Sequence, residues 1–360
     1  FGKTVVRTIS RNRNNLGVDK MKKVLITILI ILLVALIGTG GYILNLLDRI
    51  PKASLKDPDT GEKIGEGLNK QEALGIGDDA LSQKDTGVTN ILLFGLDKRS
   101  ETEKGHSDAI LIASVDRKSK KIKLTSLMRD MYVKIPGREK NRINTAYFSG
   151  GPSLAIKTVN TNFNMNIEDY VTVDFKALED IINLVGGVDI NIKKNEVNAV
   201  SPYIDELNKI NRGSRAKHLT SPGLQTLNGR QAVAYARVRS VGRDDFERTE
   251  RQRRVMSELL RKGMNISVTK IPELVNTVLP NVETSLTKKE IIGLAATIVG
   301  FGNSDMEQFR IPTDDGFEDE KIGKMMVLVP DLEKNTDALH EFIYGSKSAY
   351  ASENTGDRVK

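Results

Sequence analysis

Three stretches of the chain concentrate side chains suited to phosphate chemistry. The densest is YARVRSVGRDDFERTERQRR, residues 235–254, which holds seven arginines and four acids. Arg237 and Arg239 stand two apart and share a side of an extended segment. Asp245, Arg248 and Gln252 recur at i, i+3 and i+7, a single helical stripe. That stripe continues into Val255, Met256 and Leu259 and so faces a core, while Glu247, Glu250, Arg254 and Glu258 fall on the solvated side. Polar groups on an inward stripe need partners or a polar cavity, because an unpaired buried charge is costly. Arginine forks match phosphate oxygens, which makes Arg237, Arg239 and Arg248 candidates for gripping a phosphorylated ligand.

The second stretch is NILLFGLDKRSETEKGHSDAILIASVD. Asp97 closes an apolar run and Asp108 opens the next, eleven residues later. Strand ends are where α/β folds place ligands, and a return loop can bring the two carboxylates together. Two carboxylates with few other ligands suit a hard cation such as Mg²⁺. The same spacing also fits a turn former and a bend cap. The third stretch is Arg129-Asp130 after KIKLTSLM, which reads equally as a surface ion pair or as part of a site.

Composition excludes several other chemistries. Zero cysteines rule out disulfides, thiolate metal sites and a cysteine nucleophile, and three histidines rule out most zinc motifs. The formal charge is +7, but residues 1–23 carry seven positive groups against Asp19 alone. The remainder is therefore near neutral, not a globally basic nucleic-acid binder. Aromatics at 5% and no Trp also argue against nucleic acid.

The elements that must position these residues follow from the apolar pattern. Val24–Leu47 runs for 24 residues without a charge and is apolar on every face, long enough to cross a bilayer. Lys20, Lys22 and Lys23 precede it and no Ala-x-Ala site follows, so it reads as a retained signal-anchor. That arrangement implies a cytoplasmic basic tail over 1–23, in which Met21 reads as a natural start and 1–20 as an upstream extension, and an extracytoplasmic remainder. Residues 48–87 read as a linker, within which QEALGIGDDALSQ is either a short packed helix or a stalk. From 88 to 345, VTNILLFGL, AILIASV, KIKLTSL and YVTVDF read as buried strands. PSLAIKTVNTNF, KALEDIINLVGG, NGRQAVAYAR, FERTERQRRVMSELLRKG and TKKEIIGLAATIVGF read as helices. The expected class is an α/β (α+β layered) domain with a mixed central sheet flanked by helices. Residues 193–222 read as surface loop and 346–360 as a polar tail.

Taken in order, these motifs resemble the LytR-CpsA-Psr family of bacterial envelope phosphotransferases. The resemblance rests on NILLFGLD with GHSDAILIASVD, LTSLMRDMYV, RINTAYFSGG, VDFKALEDIINLVGGVDI, and GLQTLNGRQAVAYARVR with DDFERTERQ, spanning roughly residues 88–262. It implies a membrane-anchored enzyme that moves a phosphoglycan, such as a teichoic acid or capsular polysaccharide, from a polyprenyl-pyrophosphate carrier to a peptidoglycan hydroxyl. On the matching positions, Asp97 and Asp108 would hold Mg²⁺. Arg129, Arg237, Arg239 and Arg248 would grip the pyrophosphate, and Asp245 and Gln252 would organise that pocket. Asp130 is a candidate acceptor-side base. An apolar tunnel between sheet and helices would take the polyprenyl chain. His106, Ala109, Met128 and Lys98 depart from the usual pattern, although none replaces a proposed metal or pyrophosphate residue. A lipid-pyrophosphate hydrolase and a non-catalytic regulator that binds anionic lipid or glycan are the alternatives.

Overall fold

The computed structural model describes residues 53–66, 68–97, 105–211, 213–242, 245–264, 282–302 and 306–345, with Lys270, Glu273 and Asn276. The side chains of Asp97, His106 and Asp245 lie outside this description. So do the expected tail 1–23, anchor 24–47 and polar tail 346–360. Among the described residues no helix is long and apolar enough to cross a membrane.

Alternating and near-continuous apolar runs form the strands β1 (Val88–Asp97), β2 (His106–Asp116) and β3 (Lys121–Leu127). Short strands β4 (Tyr132–Val133) and β5 (Asn141–Arg142) pair with each other and lead into helix α1 (Asn144–Phe163). This helix is kinked, with Gly151 at φ 66° just before Pro152, where its second half restarts. Next come β6 (Asp169–Asp174), α2 (Phe175–Leu184), β7 (Val188–Ile192) and α3 (Glu196–Ile210). β8 (Gly223–Leu227), α4 (Gly229–Arg237) and α5 (Asp245–Met264) complete the central stretch. Then follow β9 (Val282–Thr284), α6 (Lys288–Gly300), β10 (Met306–Ile311), β11 (Phe317–Ile322), β12 (Met325–Pro330) and α7 (Leu332–Tyr344).

The main sheet is mixed, in the order β10-β3-β2-β1-β6-β9. β1 and β6 are parallel, as are β10 and β3, whereas β2 runs antiparallel to both its neighbours. Four strands therefore deliver their carboxyl ends to one edge. Leu92, Phe94, Ile110, Ile112 and Tyr170 share one buried face with Leu154, Ile156 and Phe163 of α1 and Leu339 and Ile343 of α7. Burying each such side chain contributes roughly 1.5–3 kcal/mol. On the other face, Ile91 and Val115 pack against Leu294 of α6. A second core unites the antiparallel β7–β8 pair with α3, α4 and α5.

Two expectations are corrected. The stretch read as linker joins the folded body from residue 53 on, where Leu55, Leu74 and Ile76 are buried; within it the packed-helix alternative is the one seen, as Lys70–Ala73, with a second short helix at Gln83–Thr86. Residues 193–222 are not simply loop, because α3 occupies much of them and buries Val197, Val200, Ile204 and Leu207.

Candidate functional site

The candidate site lies at the edge where the parallel strands end. Gly95 pairs with Ala109 and Leu96 with Ser107, so Asp108 is an extra residue in the β1–β2 ladder. A bulge of this kind re-aims a side chain out of the regular alternation. Arg129 follows β3 by two residues, and its Nη1 donates to Asp108 Oδ1 at 2.5 Å. Arg239 Nη2 donates to Asp108 Oδ2 at 3.3 Å, so both carboxylate oxygens serve guanidinium groups.

Asp130, beside Arg129, is held by ion pairs to Arg129 Nε at 3.5 Å and Arg142 Nε at 3.2 Å. Its carbonyl accepts from the Leu328 amide, while Arg142 Nη2 donates to the Met326 carbonyl. These contacts fix the Arg129–Asp130 corner to the β11–β12 hairpin.

Arg237 ends α4, whose start is set by a capping box between Asn228 and Gln231. Its guanidinium lies 4.9 Å from the Phe175 ring and 5.7 Å from the Tyr203 ring, and it pairs with Glu206 at 3.3 Å. Aromatic faces and a carboxylate together orient the fork. Phe175 is the first residue of α2, which is capped by Asp174 accepting from the Ala177 amide.

Two cavities meet at this cluster. The smaller, about 260 Å³, is lined by Asp108, Phe175, Tyr203, Glu206, Arg237, Arg239, Arg248 and Gln252. Arg248 is buried at its wall with 2% of its surface exposed. The larger, about 590 Å³, is lined by Arg129, Asp130, Arg142, Arg239, Phe246 and Asp319, with Met128, Met326, Val327 and Leu328. Arg239 belongs to both.

Seven of the nine residues singled out from sequence therefore converge here: Asp108, Arg129, Asp130, Arg237, Arg239, Arg248 and Gln252. Only the backbones of Asp97 and Asp245 are described, at the end of β1 and the start of α5. Among the described residues no three His, Asp or Glu side chains form a metal cluster.

Three further points depart from the sequence reading. Arg254, assigned to the solvated face, is half-buried and donates to the Tyr235 hydroxyl at 3.1 Å. Arg251, not singled out at all, is buried against Glu196 at 2.9 Å and holds α5 to α3. Arg253 is crowded by burial and by the neighbouring Arg310 charge, which push its guanidinium down to about 10, still protonated at neutral pH. Phe175, Tyr203, Glu206, Arg142, Phe246 and Asp319 were missed. The core spacing of Val197, Val200, Ile204 and Leu207 was a usable sign that α3 would present Tyr203 and Glu206.

The candidate site is thus a cleft at the strand ends of a mixed α/β sheet, rich in arginine, with Arg239 bordering both of its compartments. The sequence pattern of the LytR_cpsA_psr family matches residues 55–341, and the chain belongs to that family. It is 33% identical over 239 residues to the regulatory protein MsrR of Staphylococcus aureus, covering 66% of this chain and 68% of that protein. It is 30% identical over 282 residues to the polyisoprenyl-teichoic acid–peptidoglycan teichoic acid transferase TagU of Bacillus anthracis, covering 76% and 82%. The solved structure of YwtF (TagT), a Bacillus subtilis protein, with bound octaprenyl pyrophosphate lipid matches with a TM-score of 0.56. That match is 23% identical over 75% of this chain and 96% of the other, a likeness of fold.

Proposed function

We propose that this protein is a membrane-anchored, extracytoplasmic phosphotransferase. It moves a phosphoglycan, a teichoic acid or a capsular or secondary wall polysaccharide, from a polyprenyl-pyrophosphate carrier to a peptidoglycan hydroxyl. The observation that carries the reading is the pair of cavities meeting at Asp108, Arg129 and Arg239, since transfer needs donor and acceptor held side by side. The smaller, arginine-lined cavity suits the donor pyrophosphate. The larger one suits a polar acceptor. Names of relatives agree: TagU is a teichoic acid transferase, and TagT was solved with a polyprenyl pyrophosphate.

In the proposed reaction the acceptor hydroxyl oxygen attacks the glycan-side phosphorus while its proton passes to the Asp130 carboxylate. The bond from that phosphorus to the bridging oxygen breaks, and polyprenyl phosphate leaves with the electron pair. Arg129, Arg237, Arg239 and Arg248 stabilise the charge that develops on the transferring and leaving groups. Asp245 and Gln252 would organise the donor side. Half-buried Leu93, Val171 and Val173 give the sheet an apolar face beneath α6, and the polyprenyl chain is proposed to lie on an apolar side of the sheet of this kind.

Mg²⁺ belongs to the proposal through donor type. Asp97 and Asp108 offer hard oxygen ligands at adjacent strand ends, and Asp108 is paired with the arginines that an anionic donor would draw away. The ion would supply charge neutralisation at the phosphates. Calorimetric titration of Mg²⁺ in the presence of pyrophosphate, comparing the parent with Asp108→Asn, reads this without turnover. Equal binding by the two proteins would remove Asp108 as a ligand.

The function is tested with full-length protein in detergent, a labelled lipid-pyrophosphate glycan, a peptidoglycan acceptor and Mg²⁺. Acceptor-dependent transfer is expected. Phosphate release at the same rate without acceptor would make the protein a hydrolase. Tight lipid binding without turnover would make it a regulator, the role carried in the name of MsrR.

A further inference from the structure

Helix α6 is apolar on both sides. Its start is fixed by a capping box between Thr287 and Glu290. Leu294 and Ile298 face inward with Leu286 and Phe301, against Ile91 and Val115 of the sheet. The outward side carries Ile292, Ala295, Ala296 and Val299, which share about 100° of arc on a helix of 3.6 residues per turn. Ile292 is 39% and Val299 67% exposed. Among the described residues they are the only two exposed large hydrophobic side chains on a single element. No charged residue occurs from Ile291 to Gly302, and the outward stripe is headed by Lys288 and Lys289. The nearby acid, Glu290, is turned back onto the Thr287 amide at 2.7 Å.

A second observation concerns the chain that leads in. The Ala53 amide donates to the Thr284 carbonyl at 3.3 Å, which ties this part of the chain to the end of β9, just before α6 begins. The charge-free run ends at Leu47, six residues upstream. At no more than ~3.6 Å per residue, that connection reaches about 20 Å at full extension.

We infer that the outward face of α6 is a docking surface for an anionic lipid bilayer. Its apolar stripe seats at the headgroup boundary while Lys288 and Lys289 meet acidic headgroups. The inference rests on the anchor proposed for Val24–Leu47, whose last residue stands six positions before Ala53 in the chain. It does not depend on which reaction the arginine site performs. Docking here would place α6 between the sheet and the bilayer, with the arginine cluster toward the carboxyl ends of β1 and β6.

The chain has no native cysteine, so single cysteines can be introduced for labelling without background. Full-length Val299→Cys, Ile292→Cys, Leu224→Cys and Leu47→Cys proteins are labelled with an environment-sensitive dye and reconstituted in vesicles of phosphatidylcholine and phosphatidylglycerol. Spin-labelled lipid is the quencher, and a melting temperature equal to the parent's confirms each fold. Dyes at 292 and 299 should lose about half their emission, as expected for a helix ~5–10 Å into the headgroup boundary. The dye at Leu224, 75% exposed on β8, should not. Quenching at 47 without quenching at 299 would overturn the docking surface and leave the anchor standing. No quenching at either would overturn both. Efficient Val299→Cys disulfide dimers, unquenched, would assign the face to a second copy of the chain and also overturn the inference.

Discussion

Two sets of arginines in this fold behave in opposite ways. Arg251 gives Nε to Glu196, Nη1 to the Val238 carbonyl and Nη2 to the Val241 carbonyl. Arg230 gives Nε and Nη2 to Glu179, and Nη1 to Asn208 and the Ser214 carbonyl. Both are closed: every nitrogen is consumed inside the protein. Arg129 and Arg239 instead share the carboxylate of Asp108 at a cavity wall, Arg129 also pairing with Asp130, and Arg237 leans on two aromatic rings and a part-exposed Glu206. A high density of arginine does not make a site. What distinguishes the open set is a cavity in front of the guanidinium groups.

That distinction can be broken by substitution. Arg251→Ala should have the largest effect, because it strands a buried Glu196. A loss of about 3–5 kcal/mol is expected, and scanning calorimetry should register it as a melting temperature lower by roughly 10 °C. Transfer per folded molecule should persist, and replacing the pair together, Arg251→Met with Glu196→Gln, should recover part of the loss. A normal melt with abolished transfer would move Arg251 into the open set.

Arg239→Ala should show the reverse pattern, with transfer falling by about 10²–10³ and the melting temperature changing little. Steady-state kinetics beside the same calorimetry decides it.

Met326→Trp should intrude on the larger cavity from the hairpin, where Met326 is 58% exposed. The acceptor KM should rise about tenfold, within the 1–3 kcal/mol of a pocket change, while the donor KM stays put. A rise in the donor KM instead would assign that compartment to the donor glycan.

The smallest effect concerns His340, a buried group in neither set, whose Nε2 lies 2.9 Å from the Phe163 carbonyl. Burial holds its imidazole below the ordinary value, so it stays neutral in the fold while the unfolded chain takes up a proton. Stability should therefore decline as pH falls below about 6.5 toward the depressed folded value, by at most ~1.4 kcal/mol per pH unit. Melts between pH 7.5 and 5 should lose this slope in His340→Gln.

Much of this arrangement was legible from residue order. β1, β2, β3 and β6 announced themselves because buried strands demand near-continuous apolar runs, and the stripe of Arg248 and Gln252 on α5 followed from helical spacing. The fate of Asp108 was not legible, since its direction depends on a ladder irregularity that only pairing reveals. Arg251 was hidden for a different reason. Its partner Glu196 lies 55 positions away on α3, in a segment whose polar average masked its core spacing. The β11–β12 hairpin reads as charged surface because FEDEKI is mostly exposed, yet Asp319 reaches the larger cavity.

The wall formed by Arg239 has a consequence for the order of events. One guanidinium bordering two compartments cannot serve both occupants at full strength, so filling one changes the affinity of the other. By thermodynamic linkage the change is the same factor in either direction. A donor that draws Arg239 from Asp108 would thus prepare or penalise the acceptor compartment before any bond is made. An acceptor titration with and without bound donor would give that factor and its sign.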